Sequence, residues 1–217
     1  MKIGVAVLCY GGWLRKETFV SAALDLLWAQ GDGHELAIYP PDMHGADRAR
    51  NWCVAKARED DLDLLLMMDN DTAAEPTSSV LEAMVSTMRE REATAVCAAV
   101  ITNGHGFVPN VAPVVPHEVY EAQKAGAAYL LLDMRRLEEI GPNHVWFRWE
   151  LADDGLTVKQ SEDLYFTRKV QKRGGKVIVN FRIPTIHAIP VPLEMSKILA
   201  AMAAKDDAPK IVSPTEH

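Results

Sequence analysis

Nothing in the sequence approaches the roughly 18 consecutive apolar residues of a membrane-spanning helix. Positive charge is also short: 23 basic residues stand against 30 acidic ones, a formal charge of −7. That balance argues against general adhesion to nucleic acid or anionic lipid, while leaving room for a local basic groove. Cysteine is scarce. Cys9, Cys53 and Cys97 are widely spaced, odd in number and without a C-x-x-C pair, which excludes a disulfide framework and a structural zinc site. A glycine-rich dinucleotide loop is missing too, because Tyr10-Gly11-Gly12 is no G-x-G-x-x-G. The N-terminus turns at those residues instead of offering a small-residue cleavage site. There is no internal repeat. These absences lead to the expectation of a cytoplasmic protein with buried thiols and no membrane partner.

What remains is ordinary globular composition, 48% apolar and 24% charged over 217 residues, enough for one domain with a proper core. Residues 1–205 read as that domain and 206–217 as a loose tail. Ile3 to Cys9 is a nearly continuous apolar run, as in a buried central strand. Glu17 to Ala29 reads as a helix with Phe19, Ala22, Ala23, Leu26 and Leu27 on one face. A strand His34 to Tyr39 stops at Pro40-Pro41. The helix Asp47 to Arg58 follows, with Ala49, Trp52, Cys53 and Ala57 as its apolar stripe. Leu62 to Met68 is a third strand, delivering Asp69-Asn70-Asp71 to its carboxyl end. Ser79 and Glu82 form a capping box for a helix that buries Val80, Leu81, Met84, Val85 and Met88.

Strands Ala95 to Ile101 and Ala127 to Leu132 flank an irregular connection, Thr102 to Lys124, of the kind that is usually functional or mobile. A short helix, Met134 to Ile140, leads to a second loop, Asn143 to Gln160. Ser161 caps the helix Glu162 to Lys172. Lys176 to Val179 and Phe181 to His187 are the last strands, and Pro192 to Ala204 reads as a terminal helix. Alternation of this kind predicts α/β architecture.

Several residues in this frame can carry chemistry. Asp69 and Asp71, two apart at a strand exit, can face one hard cation, which would set positive charge against a diphosphate. A solvated acidic turn is the plain alternative. Glu162 and Asp163 complement the positive end of a helix dipole. A carboxylate there can also take a proton from an attacking hydroxyl, worth ~10²–10⁴-fold in rate. His187 joins a metal site if it meets Asp71 across a cleft, since imidazole with carboxylate suits manganese or zinc; otherwise it is a partly buried structural residue. Tyr10 and Gly11 lie beyond the first strand, where open α/β sheets bind ligands. Arg48, Arg50 and Asn51 open a helix from which they reach a base or phosphate, or simply solvate its start. Trp146, Phe147, Arg148 and Trp149 cluster in a loop as a sugar or base platform, or as a contact surface.

In order along the chain, these segments resemble a glycosyltransferase of the GT-A fold, family 2-like and of the compact bacterial or bacteriophage type. The resemblance rests on the first strand, Ala49-Arg50-Asn51, the strand into Asp69-Asn70-Asp71, and Gly126 to Leu131. Trp146-Phe147, Ser161 to Phe166, Gly174-Gly175 and His187 complete it, so that it covers residues 1 to 190. It implies a Rossmann-like three-layer α/β/α fold with a mostly parallel central sheet. It also implies transfer of a sugar from a nucleotide-sugar, a UDP-sugar favoured, to a hydroxyl acceptor, a glycan or a hydroxylated DNA base.

By the same resemblance Asp71 is the direct ligand of Mn2+ or Mg2+, Asp69 lies near the ribose or the metal's water, and His187 is a late metal-binding histidine. Asp163 matches the general base, with Glu162 beside it. Tyr10, Gly11, Arg48, Arg50, Asn51, Asp69, Asn70, Gly126 and Ala127 fall on the donor side, Trp146 and Trp149 on the acceptor side. Leu64 to Thr72 also resembles the apolar strand into D-x-D of haloacid dehalogenase-like phosphatases, with Asp69 as nucleophile and Asp71 as acid/base, although the threonine follows Asp71 directly. Such proteins place that strand first, and here it comes later. A non-catalytic module binding sugar nucleotides is the remaining alternative.

Overall fold

The alternation of apolar runs and amphipathic stretches resolves into one large sheet with helices on both faces. A computed structural model describes residues 1–9, 13–41, 45–74, 79–102, 108–109, 111–115, 117–142 and 145–187. The first half comprises β1 (Lys2–Leu8), α1 (Lys16–Gly31), β2 (Glu35–Tyr39), α2 (Ala46–Glu59), β3 (Leu64–Asp69), β4 (Thr72–Ala74), α3 (Val80–Arg91) and β5 (Ala95–Thr102). Four short strands follow: β6 (Val108–Pro109), β7 (Val111–Ala112), β8 (Val119–Glu121) and β9 (Lys124–Ala125). The chain continues through β10 (Tyr129–Asp133), α4 (Met134–Ile140), β11 (Glu150–Leu151), β12 (Val158–Gln160), α5 (Glu162–Lys172) and β13 (Val177–His187).

The main sheet has the order β2-β1-β3-β10-β5-β13-β4. β2, β1, β3, β5 and β13 share one direction, so the sheet is mostly parallel, and β10 inserts antiparallel between β3 and β5. Side chains alternate along each strand, which divides the core in two. Leu65 and Met67 of β3 pack with α2 and α5 through Ala49, Cys53, Ala57, Phe166 and Val170. Leu64, Leu66 and Met68 pack on the other side with Leu81, Met84, Val85 and Met88 of α3. Three layers result.

Some expectations need correction. The two loops contain structure: the first holds β6 to β8, and the second holds the β11–β12 hairpin. The last two expected strands are one, with a register shift between Asn180 and Thr185. Before the shift β13 pairs with β5 and β8, and its end pairs with β4. In α1 the buried residues are Thr18, Ser21, Ala22, Asp25 and Ala29. Phe19 and Leu27, expected inside, are 61% and 64% exposed. The polar atoms turn inward because each finds a partner there: Thr18 donates to the Asn70 carbonyl at 3.1 Å, and Asp25 accepts from the Leu81 N–H at 2.9 Å. The expected helix Pro192 to Ala204 and the tail 206–217 lie outside the described residues.

Candidate active site

The carboxyl end of β3 meets the first turns of α2 and α5 and the turn into β10. α2 starts after Gly45, whose φ of +95° suits glycine. The apolar stripe of α2 faces the sheet, and Arg50 lies on that stripe, only 2% exposed. Its Nη1 donates to Glu162 Oε1. Its Nη2 donates to Asp69 Oδ1 at 2.7 Å and to the Ala127 carbonyl at 3.3 Å. The guanidinium carbon lies 5.9 Å from the centre of the Phe147 ring. One planar cation therefore ties the end of β3, the turn before β10 and the start of α5 together. Burial raises the Glu162 carboxyl above its ordinary range against the pull of Arg50, with Asp163 and Asp69 adding to the rise.

Asn51, next on α2, is spent on the backbone. Its amide donates to the Asp47 and Phe147 carbonyls at 2.8 and 2.7 Å, and its carbonyl oxygen accepts from the Trp146 and Phe147 N–H groups at 2.9 and 3.1 Å. That fixes Phe147, which stacks on Phe166 at 4.7 Å. Asn70 plays a similar part after β3. Its carbonyl accepts from the Arg15 N–H and the Thr18 hydroxyl, both at 3.1 Å, and its amide donates to the Trp13 carbonyl at 3.1 Å. The segment entering α1 is thus pinned to the Asp69-Asn70-Asp71 turn.

Asp71 occupies the turn between β3 and β4 and is half-buried. Thr72, next along, pairs with His187 at the end of β13. The Thr72 hydroxyl is buried and has no hydrogen-bond partner among the described residues. At the start of α5, Asp163 Oδ1 accepts from the Ser161 hydroxyl and from the Leu164 N–H at 2.7 Å. Ser161 stands at the cap position, as expected, but its side chain makes no bond to the helix backbone.

Solved structures share this architecture at low sequence identity. A197 from STIV superposes with a TM-score of 0.60 at 13% identity, over 88% of this chain and 87% of that one. Residues 1–349 of S. aureus TarS, in complex with UDP-GlcNAc, give 0.55 at 16%, over 90% of this chain and 61% of that one. GalNAc-T7 with UDP, GalNAc and Mn2+ gives 0.54 at 14%, over 88% of this chain and 45% of that one. The chain has the GT-A fold. It spans less than two thirds of the TarS fragment and less than half of GalNAc-T7. No protein-family model matches it, and no curated protein matches it in sequence.

On this GT-A sheet the residues singled out from the sequence separate into groups. Arg50, Asp69, Glu162 and the Ala127 carbonyl come together in one cluster. Gly126 is buried beside them, while Arg48 on the same turn of α2 is exposed. Trp146, expected on the acceptor side, is fully buried and packs edge-on against Phe166. Its loop is pinned by Asn51, so the ring turns into the core. Trp149 remains 40% exposed. Tyr10 and Gly11, and the side chain of His187, lie outside the described residues. Sequence reasoning did not find Arg50 as the hub. The signal was present, a charged side chain one turn before Cys53 on an otherwise apolar stripe.

Proposed function

We propose that the chain is a metal-dependent glycosyltransferase, moving a sugar from a nucleotide-sugar, a UDP-sugar favoured, to a hydroxyl of a glycan or a hydroxylated DNA base. The observation that carries this reading is the meeting of the Asp69-Asn70-Asp71 turn and the Glu162-Asp163 helix start across one buried guanidinium, on a GT-A sheet. TarS and GalNAc-T7, on the same fold, are complexed with UDP-GlcNAc and with UDP, GalNAc and Mn2+.

Among the described residues no three carboxylate, histidine or cysteine side chains gather into a metal site. A divalent ion is supported instead by a neighbourhood: Asp71 precedes Thr72, whose backbone pairs with His187, and the buried Thr72 hydroxyl has no hydrogen-bond partner among the described residues; carboxylate with imidazole suits such an ion. Those two would hold Mn2+ or Mg2+, which when bound supplies positive charge against the diphosphate. Asp69 is oriented by Arg50 and serves the donor or the metal's water. Glu162, buried on the same guanidinium, fixes the start of α5. Asp163 is less buried and is the group that takes the acceptor proton. Asn70 holds the segment before α1 against the donor side.

Calorimetric titration of UDP, GDP and their sugars, each with and without manganese, tests the reading. Tight binding of one nucleotide that requires the metal is the expected result. Asp71→Ala removes the metal dependence, and Asp163→Asn binds donor but does not transfer. Unchanged manganese-dependent affinity in Asp71→Ala would refute the metal assignment. Hydrolysis of a generic phosphoester with magnesium, in the absence of nucleotide binding, would refute the transferase.

A further inference from the structure

From Phe19 to Leu27 the outer face of α1 carries no polar side chain. At about 100° per residue, Phe19, Val20, Ala23, Leu24 and Leu27 fall within an arc of roughly 140°. They lie opposite the buried Thr18, Ser21, Ala22, Asp25 and Ala29. Phe19 and Leu27 are exposed, and the other three are half-buried. Between Thr18 and Gln30 the one charged residue is Asp25, which points inward. A helix that is apolar all round belongs in an interior, and a contiguous apolar stripe left on a surface marks a contact.

The chain leaves β13 beside this helix. His187, at the end of β13, pairs with Thr72 of β4. β4 in turn lies against the first half of α1, where the Ala74 N–H donates to the Ser21 hydroxyl at 3.2 Å and the Thr18 hydroxyl donates to the Asn70 carbonyl. The sequence that follows is amphipathic. Met195, Ile198, Leu199 and Met202 recur at the i, i+3, i+4, i+7 spacing of one helix face, while Glu194, Ser196 and Lys197 fall on the other side. Pro192 suits the start of such a helix. Residues 188–192, when extended, reach roughly 16–18 Å. That exceeds the roughly 10–12 Å diameter of a helix, and the stripes Met195 to Met202 and Phe19 to Leu27 are each about 10–12 Å long.

We propose that residues 193–204 form a helix that docks on α1, setting Met195, Ile198, Leu199 and Met202 against Phe19, Ala23 and Leu27. Two apolar stripes of matching length then leave water together. A helix of about twelve residues is marginal in water by itself and takes its stability from such packing. A bilayer is a poorer fit for the face, because an interfacial helix borders its apolar side with Lys and Arg. After Lys16, α1 has neither. The docking stands apart from the transfer reaction. It also anchors the chain just beyond His187 and so steadies the proposed metal site, a consequence that rests on that reading.

The test is hydrogen–deuterium exchange of the full chain, read at residues 195–202 over a range of protein concentrations. Amides there should exchange at least about tenfold more slowly than in an unstructured chain, to the same extent at every concentration. F19S/L27S should lower that protection roughly tenfold or more, since each large apolar side chain withdrawn from water is worth about that factor. I198S/L199S should do the same from the other side of the contact. L156S, at the exposed turn of the β11–β12 hairpin, should leave it unchanged. Phe19 and Leu27 are exposed on α1 itself, and unchanged thermal unfolding of the sheet shows that the variant folds. Unprotected amides in the wild-type chain, or protection that survives F19S/L27S, overturns the proposal. Protection that grows with protein concentration overturns it too, because a second copy then covers the face. Protection in a chain that binds no nucleotide leaves the docking standing and defeats the transferase reading alone.

Discussion

Asp25 and Glu162 are enclosed carboxylates under opposite faces of the sheet, and they are solved in different ways. Asp25 accepts only neutral donors: the Leu81 N–H and the Ser79 hydroxyl, both at 2.9 Å, and the Tyr129 hydroxyl, which Ser21 joins at 3.1 Å. Glu162 faces a cation that Asp69 shares. Burial pushes both carboxyls above the usual range, so a raised pKa does not by itself mark a site. Setting does. Asp25 reinforces the start of α3, where a carboxylate complements the helix dipole. The Arg50 cluster lies at the carboxyl end of β3, where α/β sheets bind ligands. The entry to β10 serves both, with Tyr129 reaching Asp25 while the Ala127 and Ala128 carbonyls accept from Arg50 and from the Asp69 N–H.

Arg50→Met breaks this contrast most severely. It leaves Asp69 and Glu162 without their shared cation, and removing one side of a buried pair costs about 3–5 kcal/mol. The pH dependence has a definite sign. Without Arg50 the folded state binds the Glu162 proton still more tightly than the unfolded chain does. Such a group favours folding at low pH and costs stability as pH rises through its raised pKa. Urea midpoints should therefore show a larger deficit at pH 8 than at pH 5, and an equal deficit at both would uncouple Glu162 from Arg50.

Asp25→Ala comes next, at about 2–3 kcal/mol, because two buried donors, the Leu81 N–H and the Tyr129 hydroxyl, and the half-buried Ser79 hydroxyl lose their acceptor. Asp25 is likewise raised in the folded state, so the wild-type advantage over this variant is greatest in acid and narrows toward neutrality. Calorimetry should find nucleotide affinity unchanged in the folded variant; a large loss would make Asp25 part of the site.

The same contrast explains what the sequence made legible. β1, β3, β5 and the buried face of α3 were readable because uninterrupted apolar runs of that length mark buried strands and a clean 3.6-residue stripe gives a helix one inward face. α1 was not. It is apolar on both sides, and the bond that Thr18 donates and those that Ser21 and Asp25 accept from the Ala74 and Leu81 N–H groups decided which side went inward. Periodicity does not register such bonds. The antiparallel insertion of β10 also escaped, since a short apolar run such as Tyr129 to Leu132 reads the same in either direction. At the site, the carboxylates were visible as motifs. The way Arg50 distributes them was not, because it depends on a contact across 112 residues.

Tyr129→Phe is the smallest change and draws the sharpest line. It removes one hydroxyl that donates to Asp25 and leaves the backbone of β10 untouched. Ser79 and the Leu81 N–H remain on the carboxylate, so the loss should be about 1 kcal/mol. With one donor fewer, the Asp25 carboxyl rises further, and the deficit should grow modestly from pH 4 to pH 7. Nucleotide titration should match the wild-type chain, because the Ala127 and Ala128 carbonyls that serve Arg50 and Asp69 precede the altered ring. Weakened donor binding in Tyr129→Phe would mean that the two faces communicate through β10, and that the Asp25 cluster helps to set the site.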